Sequence, residues 1–153
     1  MSRLNVNVAL CESYDETSMS VNKFFNEVRT ENNKAQVCIF SMLNYIGEKE
    51  VEFGLDYFVK CISPEDERYK DTKIPLFSME IKGKKNDIQE DYKVFENIIA
   101  QPREIGFPTK GMYEIQVYEM EKNTSGIEKA TERYKKYKQE DIKPISAYRF
   151  FVR

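Results

Sequence analysis

The sequence predicts a mainly β chain: an antiparallel two-sheet β-sandwich of six to eight strands with one or two short helices, forming one domain over residues 1–153. Three observations predict it. Apolar residues recur at every second position through most of the chain, the period of a strand with one buried face. Clusters of Gly, Pro, Asn and Asp punctuate these runs. Helical spacing is missing between most successive runs, which removes the crossover helices that a parallel α/β sheet requires. At 153 residues, 41% hydrophobic and 33% charged, the chain can bury one sizeable core.

The clearest unit is Phe107–Glu119. Pro108 and Gly111 make a turn; Tyr113, Ile115 and Val117 are then expected in the core, with Met112, Glu114, Gln116 and Tyr118 on the other face. From the start of the chain, residues 3–11 read as a strand with Leu4, Val6, Val8 and Leu10 inward. Glu12–Ser18 reads as a loop and Met19–Val28 as a further strand. Thr30–Lys34 is a turn by composition. Ala35–Ile46 is apolar on both faces, as in a strand covered on both sides. Val51–Ile62 alternates strictly, and the short connection between the two suggests that they pair as a hairpin. Ser63–Thr72 is a charged loop. Ile74–Ile81 is a strand whose Pro75 implies an edge or a bulge.

Lys82–Asp87 reads as a turn. Ile88, Tyr92, Phe95 and Ile99 fall at helical spacing, so a short helix is expected there, stopped by Pro102. Asn123–Gly126 reads as a loop. Ile127, Ala130, Tyr134 and Tyr137 suggest a second helix, basic on its outer face. Ile145–Val152 closes the chain as a strand with Tyr148, Phe150 and Val152 on one side.

Composition excludes more chemistry than it suggests. The chain has no histidine, so Ser-His-Asp and Cys-His machinery and histidine-ligated metals are ruled out. No P-loop or GxGxxG motif occurs. Cys11, Cys38 and Cys61 each fall in an apolar alternating run and are expected as buried, reduced thiols. No catalytic residue, cofactor or metal is therefore assigned, and the chain is read as non-enzymatic.

Three features remain as binding candidates. Glu65, Asp66 and Glu67 crowd the charged loop, where oxygen ligands suit a divalent cation or carboxylate-dependent chemistry. Arg68, Lys70 and Lys73 interleave them, which favours a solvated loop. Lys129, Arg133 and Lys136 are spaced to share a helix face that would meet an anionic partner. Glu128, Glu132 and Glu140 lie among them as ordinary intrahelical ion-pair partners. Residues 126–153 carry 8 basic and 4 acidic side chains, but the whole chain is at −2, which argues against nucleic acid. Tyr118 stands for the aromatic side chains on outward faces, which serve as interface anchors or as filling between two sheets.

The turn-Gly-x-Tyr-x-Ile-x-Val pattern of residues 111–117, with Glu52–Val59 followed by Ser63-Pro64, resembles small bacterial and phage β-sandwich domains of unknown function. The resemblance covers residues 35–120 and implies a sandwich without an activity. The leading expectation is a cytoplasmic protein-binding module, in a phage setting an inhibitor of a host protein. The alternative is a metal- or ligand-binding domain, or a carboxylate-dependent enzyme, that uses the acidic loops. A protein partner is expected, a membrane or nucleic acid is not, and strand edges near Pro75 offer a route to a homo-oligomer.

Overall fold

The computed structural model describes residues 3–47, 51–83, 93–120 and 129–153. Among them are nine strands and one α-helix: β1 (Arg3–Asp15), β2 (Ser20–Phe25), β3 (Glu27–Val28), β4 (Lys34–Gly47), β5 (Val51–Pro64), β6 (Lys73–Gly83), β7 (Lys93–Gly106), β8 (Gly111–Glu119), α1 (Ala130–Gln139) and β9 (Ser146–Val152). The strands form two sheets. The first has the order β2-β1-β4-β7 and the second β3-β9-β8-β5-β6. All pairings in the first are antiparallel. The second is mixed, because β3 runs parallel to β9. The strand count and the parallel pair both depart from the all-antiparallel expectation.

Alternation explains how the core forms. Val6, Val8 and Leu10 of β1 and Val37, Ile39 and Leu43 of β4 belong to the same buried cluster as Leu55, Tyr57 and Val59 of β5 and Tyr113, Ile115 and Val117 of β8. One strand face from each sheet thus contributes to a shared core, each full burial being worth about 1.5–3 kcal/mol. The Tyr57 hydroxyl donates across that core to Ser41 Oγ at 2.8 Å, both side chains being buried. Phe107 packs edge-on against Tyr113 and Phe150, and the Tyr113 hydroxyl donates to the Thr109 carbonyl at 2.6 Å. Gly111 closes this turn at φ 143°. A Cβ there would lie 2.3 Å from the Ser63 carbonyl oxygen, so β5 and β8 can meet only around glycine.

Several local readings hold. Pro75 lies on β6, the edge strand, opposite the register shift at Tyr57/Phe58. Asn32 and Asn33 both take positive φ in the tight turn closed by Glu31 and Lys34. The three cysteines are free and buried.

Three readings are corrected. β4 and β5 do not pair: β4 lies between β1 and β7 in one sheet, and β5 between β8 and β6 in the other. Both runs are apolar with period two, a pattern that records burial and not partnership. The helix expected over 88–99 is replaced, from Lys93 onward, by β7; of the turn expected over Lys82–Asp87, Lys82 and Gly83 continue β6, and residues 84–92 lie outside the described residues. Ile98 and Ile99 then point to opposite faces, Ile99 to the main core and Ile98 to a second cluster. Pro102 sits in this edge strand, where the missing N–H is tolerated, and terminates no helix. β1 also continues through the expected loop to Asp15, whose carboxylate accepts from the backbone N–H of Thr17. The loop expected over 123–126 lies outside the described residues.

Candidate interaction surfaces

While Phe151 of β9 stays 49% exposed, the outer face of the second sheet over β5 and β8 is covered by α1. Ala, Glu, Arg, Lys and Gln supply its helix propensity, and Lys136 and Lys138 sit favourably in the last turn. Arg133, Tyr134 and Tyr137 share one helix face and are buried. That face lies on outward side chains of β5 and β8. Tyr137 stacks on Tyr118 with planes 3° apart and centroids at 4.8 Å, while Tyr134 packs edge-on against Phe58 at 5.0 Å.

A buried ion pair lies beneath these rings. Asp56 on β5 is 0% exposed, and Arg133 clamps it with Nε on Oδ2 at 2.8 Å and Nη2 on Oδ1 at 2.6 Å. The Tyr137 hydroxyl donates to Oδ2 at 2.7 Å, and Ser78 Oγ donates to Oδ1. Burial alone would push the Asp56 carboxyl up. The hydrogen bonds from Arg133, Ser78 and Tyr137, with the guanidinium charge, outweigh it and hold the carboxyl below the ordinary carboxylate range. This arrangement is a bidentate anchor for the helix.

The basic face expected on the helix is therefore dismantled. Arg133 is an inward anchor, 6% exposed, and Lys136 is half-buried in the last turn. Tyr118, expected on an outward face as an interface anchor or as filling between two sheets, lies under α1. Sequence reasoning missed Asp56, although a lone carboxylate amid Gly54-Leu55 and Tyr57-Phe58 is a signal for a buried partner.

The acidic candidates lie elsewhere. Glu65 and Glu67 are exposed and Asp66 is half-buried. Asp66 accepts from the Nε and Nη2 of Arg68 and caps the 3-10 turn over Glu67–Tyr69. The backbone N–H of Glu65 donates to the Lys110 carbonyl at 2.8 Å, tying this loop to the turn before β8. Among the described residues, no three Cys, Asp or Glu side chains are grouped so as to hold a metal ion.

The outer face of the first sheet differs. Cys11, Cys38 and Phe40 are buried there beneath Tyr14, Val21, Ile98 and Ala100. Above them Met19, Phe24 and Met42 are 70%, 53% and 46% exposed. Phe24 stands edge-on to Phe40 at 5.4 Å. A groove of about 460 Å³ runs between Tyr14, Met19, Met42, Ile98 and Ala100, with Glu16 as the charged residue in its lining. α1, the one α-helix among the described residues, lies on the other sheet. Cys11 faces Cys38 across the β1–β4 pairing, and burial, followed by the neighbouring Cys38, pushes the Cys11 thiol up to about 12. It is a protonated, inert thiol at neutral pH.

No family model, no curated protein and no solved structure matches this chain.

Proposed function

We propose that the protein is a non-enzymatic interaction module, a two-sheet β-sandwich that docks a protein partner on the outer face of its four-stranded sheet. The observation that carries this reading is the exposure of Met19 and Met42, which line a groove with Ile98 and Ala100, together with the exposed Phe24 on Phe40 of the same sheet. Contiguous exposed apolar surface marks interaction sites, and aromatic and methionine side chains supply the anchors and the adaptability such sites use. The fitting occupant is a segment with an apolar anchor for the groove and a basic side chain for Glu16. In a phage or mobile-element setting the partner would be a host protein that the module inhibits.

Site-specific photo-cross-linking tests the reading. A photoreactive phenylalanine analogue in place of Phe24 or Met42 should capture one protein in the cells of origin, in competition with unlabelled module. The same probe in place of Arg149 should not. Equal capture from all three positions would sink the proposal. Capture of the module by itself would make the occupant a second copy of the chain.

A further inference from the structure

We propose that Lys60, Lys73 and Lys138 form a binding site for a small phosphate-type oxyanion beside the ring of Tyr134. The three come together only in the folded chain. Lys60 on β5 and Lys73 on β6 are cross-strand neighbours, an arrangement of like charges that destabilises a sheet. Lys138 approaches from the last turn of α1. The Lys73 ammonium lies 3.7 Å from the centroid of the Tyr134 ring, and the Lys138 ammonium lies 5.9 Å from the same centroid. Two cations thus share one aromatic ring, with a third on the adjoining strand.

The carboxylates nearby do not balance them. Asp71 stands 3.5 Å from Lys60, with its own side chain 64% exposed. Glu114, the partner of Lys60 on the other side in the sheet, is engaged by Arg149 at 2.9 Å and by Gln116. Among the described residues, Lys73 and Lys138 have no carboxylate within ion-pair distance. Lys73 is half-buried. Its proton affinity is lowered by burial, then by Lys138 and Lys60, with Asp71 opposing. Of the three ammonium groups, Lys60 alone has a carboxylate at ion-pair distance, Asp71; Glu114 and Asp141, engaged by Arg149 and Lys143, act on Lys60 and Lys138 at longer range. On the same ring, the Tyr134 hydroxyl is buried beside Tyr118, with no partner at ordinary hydrogen-bond distance among the described residues. Lysine binds phosphate as a point charge with three donors, so a tetrahedral dianion satisfies both the charge and the hydrogen-bonding capacity of the cluster.

Thermal unfolding of the full chain at neutral pH tests this, with sodium phosphate compared against sodium chloride at matched ionic strength. A second arm uses glycerol phosphate, which separates a free phosphate ligand from a phosphomonoester. At about 100 times Kd, the bound anion should raise Tm by roughly 5–10 °C beyond chloride. Lys73→Met should abolish the difference, and so should Lys138→Met, an exposed position whose replacement leaves the sheet intact. Lys129→Met should retain it. Equal Tm in chloride, phosphate and glycerol phosphate would overturn the proposal, as would a response that survives in either of the first two variants.

Discussion

On the outer face of the five-stranded sheet, Phe58 and Tyr118 lie under α1; on the four-stranded sheet, Phe24 and Met42 stand open. Both faces carry aromatic and aliphatic side chains at outward positions. The covered face adds a carboxylate at the centre of its cluster, Asp56, and its helix adds the matching guanidinium. Apolar contact has no direction, whereas a bidentate pair has one geometry, so the pair sets where and in which rotation α1 docks. Among the described residues, the open face has no buried charge to fix the register of a cover. Its groove and soft methionine edges instead suit an occupant that adapts on contact.

The largest test of this difference removes the anchor. Arg133→Met keeps the apolar stem of the side chain but leaves Asp56 buried and unpaired, at a cost of about 3–5 kcal/mol. Urea unfolding should show the loss as a lowered midpoint. The double variant Asp56→Asn/Arg133→Met should recover much of it. A single-variant loss below about 1 kcal/mol would mean that the ion pair does not hold the helix.

The same pair sets a pH dependence with opposite signs in the two proteins. In the wild type the Asp56 carboxyl is held below its ordinary value of 3.8. Its contribution is therefore fully present above that value and is lost as pH falls through the lowered folded value. In Arg133→Met, desolvation without the guanidinium favours the protonated acid and raises the folded value. The stability deficit should accordingly shrink on acidification. A gap between the two proteins that stays constant down to pH 4 would contradict this account.

How much was legible in the sequence follows the same division. Strict alternation identified the inward residues of β1, β5, β8 and β9, because burial on one strand face leaves a local, period-two record. Pairing leaves no such record, so β4 and β5 read as neighbours although they lie in different sheets. Helical periodicity grouped Lys129, Arg133 and Lys136 without showing which way the face turned. Arg133 and Tyr137, one turn apart, converge on a carboxylate 77 and 81 positions away. The lysines around Tyr134 come from β5, β6 and α1, and no spacing rule gathers them.

Substitutions on the open face should reverse the balance between stability and binding. Phe24→Asp and Met42→Asp alter side chains already half in water, so stability should move by at most about 1 kcal/mol. Affinity for the cross-linked partner should fall on the order of 30-fold or more, as for hot-spot anchors. Phe58→Ala, under the helix, should instead cost about 3–5 kcal/mol in unfolding experiments. Were Phe24→Asp to destabilise the fold as much as Phe58→Ala, the two faces would not differ in the way argued.

The smallest expected effect isolates the charge of the groove. Glu16 is exposed, so Glu16→Lys should leave the unfolding midpoint nearly unchanged. At a rim position a charge acts through the encounter rate more than through residence time. The variant should therefore slow association with a partner bearing a basic side chain by a few-fold at low salt, and the difference should fade as the Debye length shortens to about 8 Å at physiological ionic strength. The dissociation rate should stay close to that of the wild type, because the apolar anchor still fills the space between Met42 and Ile98. Faster association of Glu16→Lys would mean that the occupant brings a carboxylate to this edge, reversing the charge assigned to it while leaving the apolar docking face in place.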